Sequence, residues 1–574
     1  MKRRVPSVLK VDLQRWRMRL VMLIIFSAFG VLVAQLSYMQ IWKKDFLRQQ
    51  SDKRVKRLVD IPAHRGMLLD ARGVHLAISI PAAAIGLNAR EAEATPEQRS
   101  QLAHLLGLDR AALDRIFREK KKFTYLARQI QTETADAVMT LKIKGVTSQP
   151  EYRRYYTAGE TMAQVLGLTN IEDRGLDGIE LSYQSSLGGV SGKKRVIRDR
   201  AGNVVEELEL VQLPKKGADL MLSINSQIQY LAFRELKAAT LTYKAKAASA
   251  VVLDAQTGEI LAIANYPSYN PNERRMMRPE LARNRAAADA FEPGSTLKPL
   301  FVAAALEQQK ITPGTLIDTS APLLLSGKRI TDTHENGVVS VTDAIQVSSN
   351  VAMARIAMSM QDRDIYSVYS AAGFGRLPNS GLPGEARGIL HDTRKPWLPI
   401  EKAALSYGHG VSVSLLQLAR AYTLLANDGV LMPLTVVKRT EPVTGTRVVS
   451  AQSARQVRIM LEKVVQEGGT APKARVLGYS VAGKTGTAHK LVNGNFNNHA
   501  YRASFVGMAP ASNPRVVIAV VVDEPSGVQY YGGEVAAPAF SRIMAGTLRF
   551  LAIPPDAPME ALPPVRSTVV KESA

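Results

Sequence analysis

Between Leu20 and Ile41 the chain carries no charged residue. A helix of about 22 residues rises roughly 33 Å, enough to cross the hydrocarbon core of a bilayer. Ahead of it stand Lys2, Arg3, Arg4, Lys10, Arg15, Arg17 and Arg19 against the single acid Asp12. By the positive-inside rule residues 1–19 form a cytoplasmic tail, 20–41 a transmembrane anchor, and everything after Ile41 is exported. Trp16 and Trp42 bracket the run as interfacial anchors do, and Lys43 and Lys44 weaken the charge asymmetry without reversing it. A cleaved signal peptide is the alternative; the apolar run is longer than such a peptide's core and shows no clear small-x-small cleavage site, which favours an uncleaved anchor.

The rest of this 574-residue chain is too long for one ordinary domain, and 46% hydrophobic residues suffice for a sizeable core. With no cysteine there is neither a disulfide nor thiol chemistry. Eight histidines stand singly, with no His-Glu-x-x-His and no paired ligand spacing, so neither metal nor cofactor is expected. The net charge of +23 does not point to nucleic acid, because part of the excess belongs to the tail and more is spread through Lys53-Arg54-Val55-Lys56-Arg57 and Arg115 to Lys122. A solvated basic face is the ordinary reading; weak attraction to anionic lipid or to an acidic wall polymer is the functional one.

The chemistry concentrates in Phe291-Glu292-Pro293-Gly294-Ser295-Thr296-Leu297-Lys298, which opens the apolar helical run Pro299 to Glu307. Residues i and i+3 share a helix face, so Ser295 and Lys298 can meet. A serine hydroxyl attacks only when a neighbour takes its proton, and a lysine can do so only when burial or nearby positive charge keeps it neutral. Ser295 is therefore the candidate nucleophile and Lys298 its base. Alone the pattern is weak: Ser7 to Lys10 and Ser191 to Lys194 match it in charged or glycine-rich settings. Ser348-Ser349-Asn350 follows between two helical patterns, unlike the accidental matches at Ser223 and Ser268, and Lys484-Thr485-Gly486-Thr487 comes later.

This ordered set resembles that of penicillin-binding proteins and serine β-lactamases. On that reading Ser348 relays a proton between Lys298 and a leaving amine, and Asn350 hydrogen-bonds the substrate backbone. Lys484, Thr485, Gly486 and Thr487 line an edge strand suited to a terminal carboxylate, with the Lys484 charge helping to keep Lys298 neutral. The backbone N–H groups of Ser295 and Thr487 form the oxyanion hole that the resemblance implies.

Periodicity separates a noncatalytic, pedestal- or dimerisation-like module over 42–217, with helices at Thr95 to Leu106 and Thr132 to Leu141, from a catalytic domain over 218–553. In the first, Arg65 to Gly73 and Gly175 to Glu180 combine charges with glycines, as a compact joint does. In the second, a helix over Ser226 to Ala247 and a hairpin of Ala248 to Ala255 with Glu259 to Tyr266 precede a helical middle. Strands return at Tyr479 to Ala488, Ala503 to Ala509 and Arg515 to Val522, before a last helix from Ala536 to Leu551. The fold class expected is multidomain α+β, with an antiparallel sheet flanked by helices, an inserted helical subdomain and the site at their seam. Residues 554–574 form a Pro-rich tail expected to be disordered.

Over nearly its whole length the chain is similar to the division-specific class B penicillin-binding proteins of Gram-negative bacteria. Besides the three motifs, the likeness rests on Arg65-Gly66-x-x-x-Asp70, Gly175-x-x-Gly178-Ile179-Glu180, Ser406-Tyr407-Gly408-His409-Gly410 leading into Leu415 to Ala419, and Tyr530-Tyr531-Gly532-Gly533. One departure is Asp70-Ala71-Arg72-Gly73, where the family has Asp-Arg-Asn-Gly. The resemblance implies that Ser295 attacks the D-Ala-D-Ala bond of a peptidoglycan stem peptide, releases D-alanine, and passes the acyl group to an amine of a neighbouring stem. It also implies covalent inhibition by β-lactams, a cell inner membrane location with the catalytic domain periplasmic, and partnership with a SEDS-type lipid-II polymerase and other division proteins. An elongation-specific transpeptidase, a Lys-based β-lactamase and a noncatalytic scaffold or β-lactam sensor are the alternatives. No Glu-x-x-Leu-Asn element activates a water, and the sequences near Tyr407 and Tyr530 favour the division type.

Overall fold

The computed structural model describes residues 15–45, 56–119, 123–198, 204–492, 495–527 and 529–559. Arg15–Ser37 is one α-helix continued by a π-helical turn at Tyr38–Trp42, so the apolar run is helical and the helix begins five residues before Leu20. Leu20, Ile24, Phe26, Phe29 and Leu32 on it are all more than half exposed. Apolar side chains left uncovered by the described residues, on a helix long enough to span a bilayer, are consistent with a membrane anchor. Residues 1–14, which hold much of the basic tail, lie outside the described residues, as do 46–55 and 120–122 of the basic stretches.

Beyond the anchor, two long strands, His75–Leu87 and Val146–Tyr156, pair antiparallel from Ala77↔Tyr156 to Leu87↔Val146. At their far end helices Pro96–Leu106, Arg110–Glu119 and Thr132–Thr140 close a separate small core of Ile85, Leu87, Leu102, Leu113 and Val138. The first of these helices starts as the sequence suggests: Thr95 caps it and exchanges hydrogen bonds with Gln98 in a capping box. At the near end Leu68–Leu69 pairs antiparallel with the first long strand and parallel with Leu220–Met221. A three-stranded antiparallel sheet, with Gly192–Arg198 between Lys56–Ile61 and Val204–Gln212, lies on the chain's way back from the anchor.

The two glycine-rich charged segments do meet, and around a buried ionic cluster. Arg65 Nε and Nη2 reach Glu180 Oε2 at 2.7 and 2.6 Å, and Arg154 Nε reaches Oε1 at 2.7 Å; none of the three residues is more than 3% exposed. Arg65 also donates to the carbonyls of Asp173 and Glu180 and to Gln184 Oε1, which pins the turn at Asp173 and the short helices Gly178–Ser182 and Gln184–Leu187 to one guanidinium. Asp70 then ties this module to the next domain. Its Oδ2 accepts the Ser226 hydroxyl at 2.7 Å, and Oδ1 accepts the backbone N–H groups of Arg72 and Val74. Burial pushes the Asp70 carboxyl up, but the hydrogen bonds from Ser226, Val74 and Arg72 outweigh it and hold the group below its ordinary range. Where the family motif departs, Arg72 makes its own contact to Gln227 Oε1 at 2.7 Å.

The catalytic region is built on a five-stranded antiparallel sheet in the order Ile260–Tyr266, Ala247–Asp254, Val516–Asp523, Asn495–Ala509, Ala482–Val492. Its central strands read as near-continuous apolar runs because both faces are covered: helices Ser226–Thr242 and Gly532–Phe550 pack on one side and Leu415–Ala426 on the other. The last helix starts four residues earlier than Ala536. Pro538 within it has no N–H to offer the Glu534 carbonyl, and the Tyr243 hydroxyl supplies that hydrogen bond at 2.9 Å. Helices Lys298–Glu307, Val341–Gln346, Asn350–Met358, Asp362–Ala371 and Pro399–Ser406 form the helical lobe. The first of these is apolar on every side and buried from Lys298 to Leu306, which marks a central core helix.

The start of the Pro-rich tail differs from the disorder expected of it. Asp556 Oδ2 accepts the Ser512 hydroxyl at 2.6 Å and Oδ1 the Ser480 N–H at 2.8 Å, while Gly478 O accepts the N–H groups of Asp556 and Ala557. A single carboxylate with several donors thus holds residues that Pro554 and Pro555 would keep out of regular structure. Residues 560–574 lie outside the described residues.

Candidate active site

The nucleophile segment folds more tightly than an α-helix start. Gly294–Leu297 is a 3₁₀ turn, closed by the Lys298 N–H on the Ser295 carbonyl, and the α-helix begins at Lys298 with Pro299 harmless in its first turn. In a 3₁₀ turn side chains at i and i+3 eclipse, which brings Ser295 and Lys298 onto one line. Both are buried, at 3% and 0% exposure.

Three neighbours hold this turn. The Tyr422 hydroxyl, buried on the helix beneath, donates to Thr296 O at 2.7 Å. Glu292 reaches across to the loop after Ser406, where its carboxylate takes His409 Nδ1 and the Gly410 N–H, each at 2.9 Å. Burial raises the Glu292 carboxyl, yet the His409 and Gly410 hydrogen bonds prevail and keep it below its usual range. The third neighbour is the edge strand. A Cβ on Gly486 would lie 2.5 Å from Ser504 Oγ, 2.8 Å from Thr296 Cγ2 and 3.0 Å from Pro293 O. Glycine at that position is what lets strand and nucleophile turn close on each other, a role besides the substrate approach read from the sequence.

Ser348 sits between the helices Val341–Gln346 and Asn350–Met358 with φ +63°, a left-handed conformation that a non-glycine residue adopts at a cost. The strain aims both polar groups of the residue at one amine: Lys298 Nζ is 2.6 Å from Ser348 O and 3.1 Å from Oγ. From the opposite wall Lys484 Nζ reaches the same Oγ at 2.9 Å and Thr485 Oγ1 at 3.2 Å. Ser348, Lys298 and Lys484 are all fully buried. Asn350 opens the following helix, and its buried Oδ1 meets no hydrogen-bond donor among the described residues. Thr487 Oγ1 accepts the Gly532 N–H at 3.0 Å, which places the start of the last helix against the strand. All eight candidate residues thus come together at the seam between the sheet edge and the helical lobe.

The sequence reading missed several residues around them. Asp332 Oδ1 accepts the N–H groups of Asn350 and Val351 at 2.6 and 3.0 Å, and Oδ2 the Ser349 hydroxyl at 2.5 Å. This carboxylate caps the helix that carries Asn350, where the helix dipole favours negative charge. It comes from an irregular loop with no periodicity to flag it. Thr470, in the loop Glu467 to Ala471, pairs its hydroxyl with Thr485 Oγ1 at 2.9 Å. At the open end of the strand Tyr501 stacks on Tyr530, and Tyr530 on Tyr531, the two tyrosines of the sequence motif, with ring centroids 4.2 and 4.4 Å apart; His489, also unforeseen, lies tilted against Tyr501 at 4.6 Å.

Comparison with known proteins agrees with this geometry. Residues 248–545 match the penicillin binding protein transpeptidase domain, and residues 60–222 the penicillin-binding protein dimerisation domain. The chain is 39% identical to the "Probable peptidoglycan D,D-transpeptidase PenA" of Neisseria meningitidis over 95% of its own length and 94% of the relative's. It is 38% identical to the peptidoglycan D,D-transpeptidase FtsI of Escherichia coli over 94% and 93%. Among solved structures, the apo TP domain of penicillin-binding protein 3 from Burkholderia pseudomallei superposes with a TM-score of 0.54 at 47% identity, covering 59% of this chain and 98% of that one. With a serine on a buried 3₁₀ turn, a lysine opening the helix that follows and a second lysine sharing that lysine's seryl partner, the chain belongs to the penicillin-binding protein transpeptidase family.

Proposed function

We propose that this protein cross-links septal peptidoglycan by serine acyl transfer, with Ser295 as nucleophile, Lys298 as base and Ser348 as proton relay. Asn350, Lys484, Thr485, Gly486 and Thr487 bind the donor peptide. The observation that carries this reading is one hydroxyl shared by two buried lysines, Ser348 Oγ lying 3.1 Å from Lys298 Nζ and 2.9 Å from Lys484 Nζ. A hydroxyl has one proton and two acceptor positions. It can receive a proton bond from an ammonium on one side and give its own to a neutral amine on the other. Two ammonium groups facing it would repel each other in a site that water does not screen, so one neutral and one charged lysine is the favoured distribution. Lys298, aligned with Ser295, is the neutral one.

The steps follow from that proton count. Ser295 Oγ attacks the carbonyl carbon of the penultimate D-alanine while its proton passes to Lys298. The carbonyl oxygen takes the negative charge and lies against the backbone N–H groups of Ser295 and Thr487. When the tetrahedral carbon collapses, the C–N bond breaks, and the D-alanine nitrogen leaves with a proton delivered from Lys298 through Ser348. The acyl-enzyme then meets an amine of a second stem peptide; its proton travels the same path back, and the new amide leaves Ser295 free. Asn350 Oδ1 accepts the donor's backbone N–H, and Lys484 with Thr485 and Thr487 receives its carboxylate. A β-lactam enters the same sequence but keeps its leaving nitrogen tethered, so the acyl-enzyme persists.

The helix Arg15–Trp42 anchors the chain, and by the positive-inside rule the basic residues before it and in its first turns support a cytoplasmic N-terminus and a periplasmic catalytic region. A membrane-embedded polymerase of the SEDS type supplies the glycan strands on which the enzyme acts. The test is a donor stem pentapeptide ending in D-Ala-D-Ala with an amine-bearing acceptor: the full chain is expected to release D-alanine and form the cross-linked dimer, and Ser295→Ala to do neither. Dimer formation by the Ser295→Ala protein would reject the assignment.

A further inference from the structure

We propose that Thr470, which lies in none of the three motifs, is a positioning residue that sets the proton direction of Thr485 and thereby the recognition of the donor's terminal carboxylate. The inference rests on the reading of Lys484, Thr485 and Thr487 as the carboxylate site. Thr470 is 3% exposed. Its loop is fixed by hydrogen bonds from the Gly469 N–H to Gln466 O and from the Ala471 N–H to Val464 O. The first turn of the last helix closes over it, so tightly that a Cβ on Gly533 would lie 2.1 Å from the Thr470 carbonyl oxygen.

A hydroxyl has one proton to give, and with a carboxylate bound this sets the direction of the contacts on the two strand threonines. The Gly532 N–H can only donate, so Thr487 Oγ1 accepts it at 3.0 Å and gives its own proton in another direction. On Thr485 Oγ1 the Lys484 ammonium, at 3.2 Å, can likewise only donate. A carboxylate only accepts, so Thr485 must give it the one proton its hydroxyl owns. The remaining contact, 2.9 Å to Thr470 Oγ1, must run from Thr470 as donor to Thr485 as acceptor. With the carboxylate bound, both acceptor positions of Thr485 are then filled and its proton goes to the substrate. With the contact reversed, a carboxylate would face lone pairs.

The experiment measures acylation of the full chain in detergent by benzylpenicillin and by its methyl ester, which lacks the anionic carboxylate. Expected for the native protein is a strong preference for the acid. Thr470→Val keeps the side-chain shape and removes the donor. It should cut acylation by the acid about tenfold, through the dissociation constant of the first complex and not through the acylation step, and leave the ester unaffected. Thr470→Ser should restore the acid-to-ester ratio. That ratio comes from one protein sample and does not depend on how much of a variant folds. An unchanged ratio in Thr470→Val, or equal losses with both probes, overturns the proposal. A native protein that does not distinguish acid from ester removes the carboxylate site itself, and Thr470's role with it, while Ser295 labelling still stands.

Discussion

The molecule buries two cations around one shared acceptor in two places, and the acceptor decides what each cluster can do. In the N-terminal module Arg65 and Arg154 share the Glu180 carboxylate; in the catalytic seam Lys298 and Lys484 share the Ser348 hydroxyl. A guanidinium stays charged at any pH a protein tolerates and fixes its partners by a planar fork, so the first cluster is an ionic lock between a loop, a strand and a short helix. A lysine amine surrenders its proton when desolvated beside another cation, and a hydroxyl between two amines conducts a proton. On the proposed mechanism the same burial yields a joint in one region and a reaction centre in the other.

The contrast breaks most sharply at Lys298. Lys298→Arg puts a permanent positive charge where the account has a neutral amine and cannot act as a base, so β-lactam acylation by the folded protein should fall about a thousandfold, within the range general-base removal gives. Normal acylation by that variant would mean that the seam, like the joint, needs only charge.

The next largest effect belongs to the lock. Glu180→Ala leaves two buried guanidinium groups without their carboxylate and should cost about 3–5 kcal/mol of stability by thermal or denaturant unfolding. Protein that remains folded should acylate at the native rate, because the joint does not touch the seam. A variant that lost acylation at full stability would show the two clusters to be coupled.

How much of this was legible in the sequence follows the same division. Ser295, Lys298, Ser348, Asn350 and the Lys484–Thr487 strand could be found because each chemical requirement fell within a short stretch with helix or strand context beside it. Arg65 and Glu180 were visible as members of glycine-rich charged segments. Their third partner was not, because Arg154 sits beside Arg153 in a strand and only pairing with the strand His75–Leu87 decides which of the two turns inward. Asp332, Thr470 and the Glu292–His409 contact join residues far apart in the chain through loops, where no period carries information. The 3₁₀ form of the nucleophile turn was hidden for another reason: a one-turn difference in winding leaves the residue pattern unchanged.

A smaller effect sharpens the joint further. Asp70 is held below its ordinary carboxyl range. Ionisation that is easier in the folded state stabilises the fold above the unfolded-state pKa, and the contribution is lost as pH falls through the lower folded-state value. Stability should therefore drop on acidification below about pH 4, and Asp70→Asn should flatten that part of the profile without altering acylation at neutral pH. An unchanged acid profile would remove Asp70 from the coupling between module and catalytic domain.

The most direct test of the central claim, a buried serine made nucleophilic by a neutral lysine, is intact-mass spectrometry of the full chain after benzylpenicillin, with peptide mapping and a time course of adduct loss. The account predicts a single adduct on Ser295 that is lost slowly and is missing from Ser295→Ala. An adduct on another residue, rapid loss with hydrolysed drug, or no adduct on folded protein would contradict it.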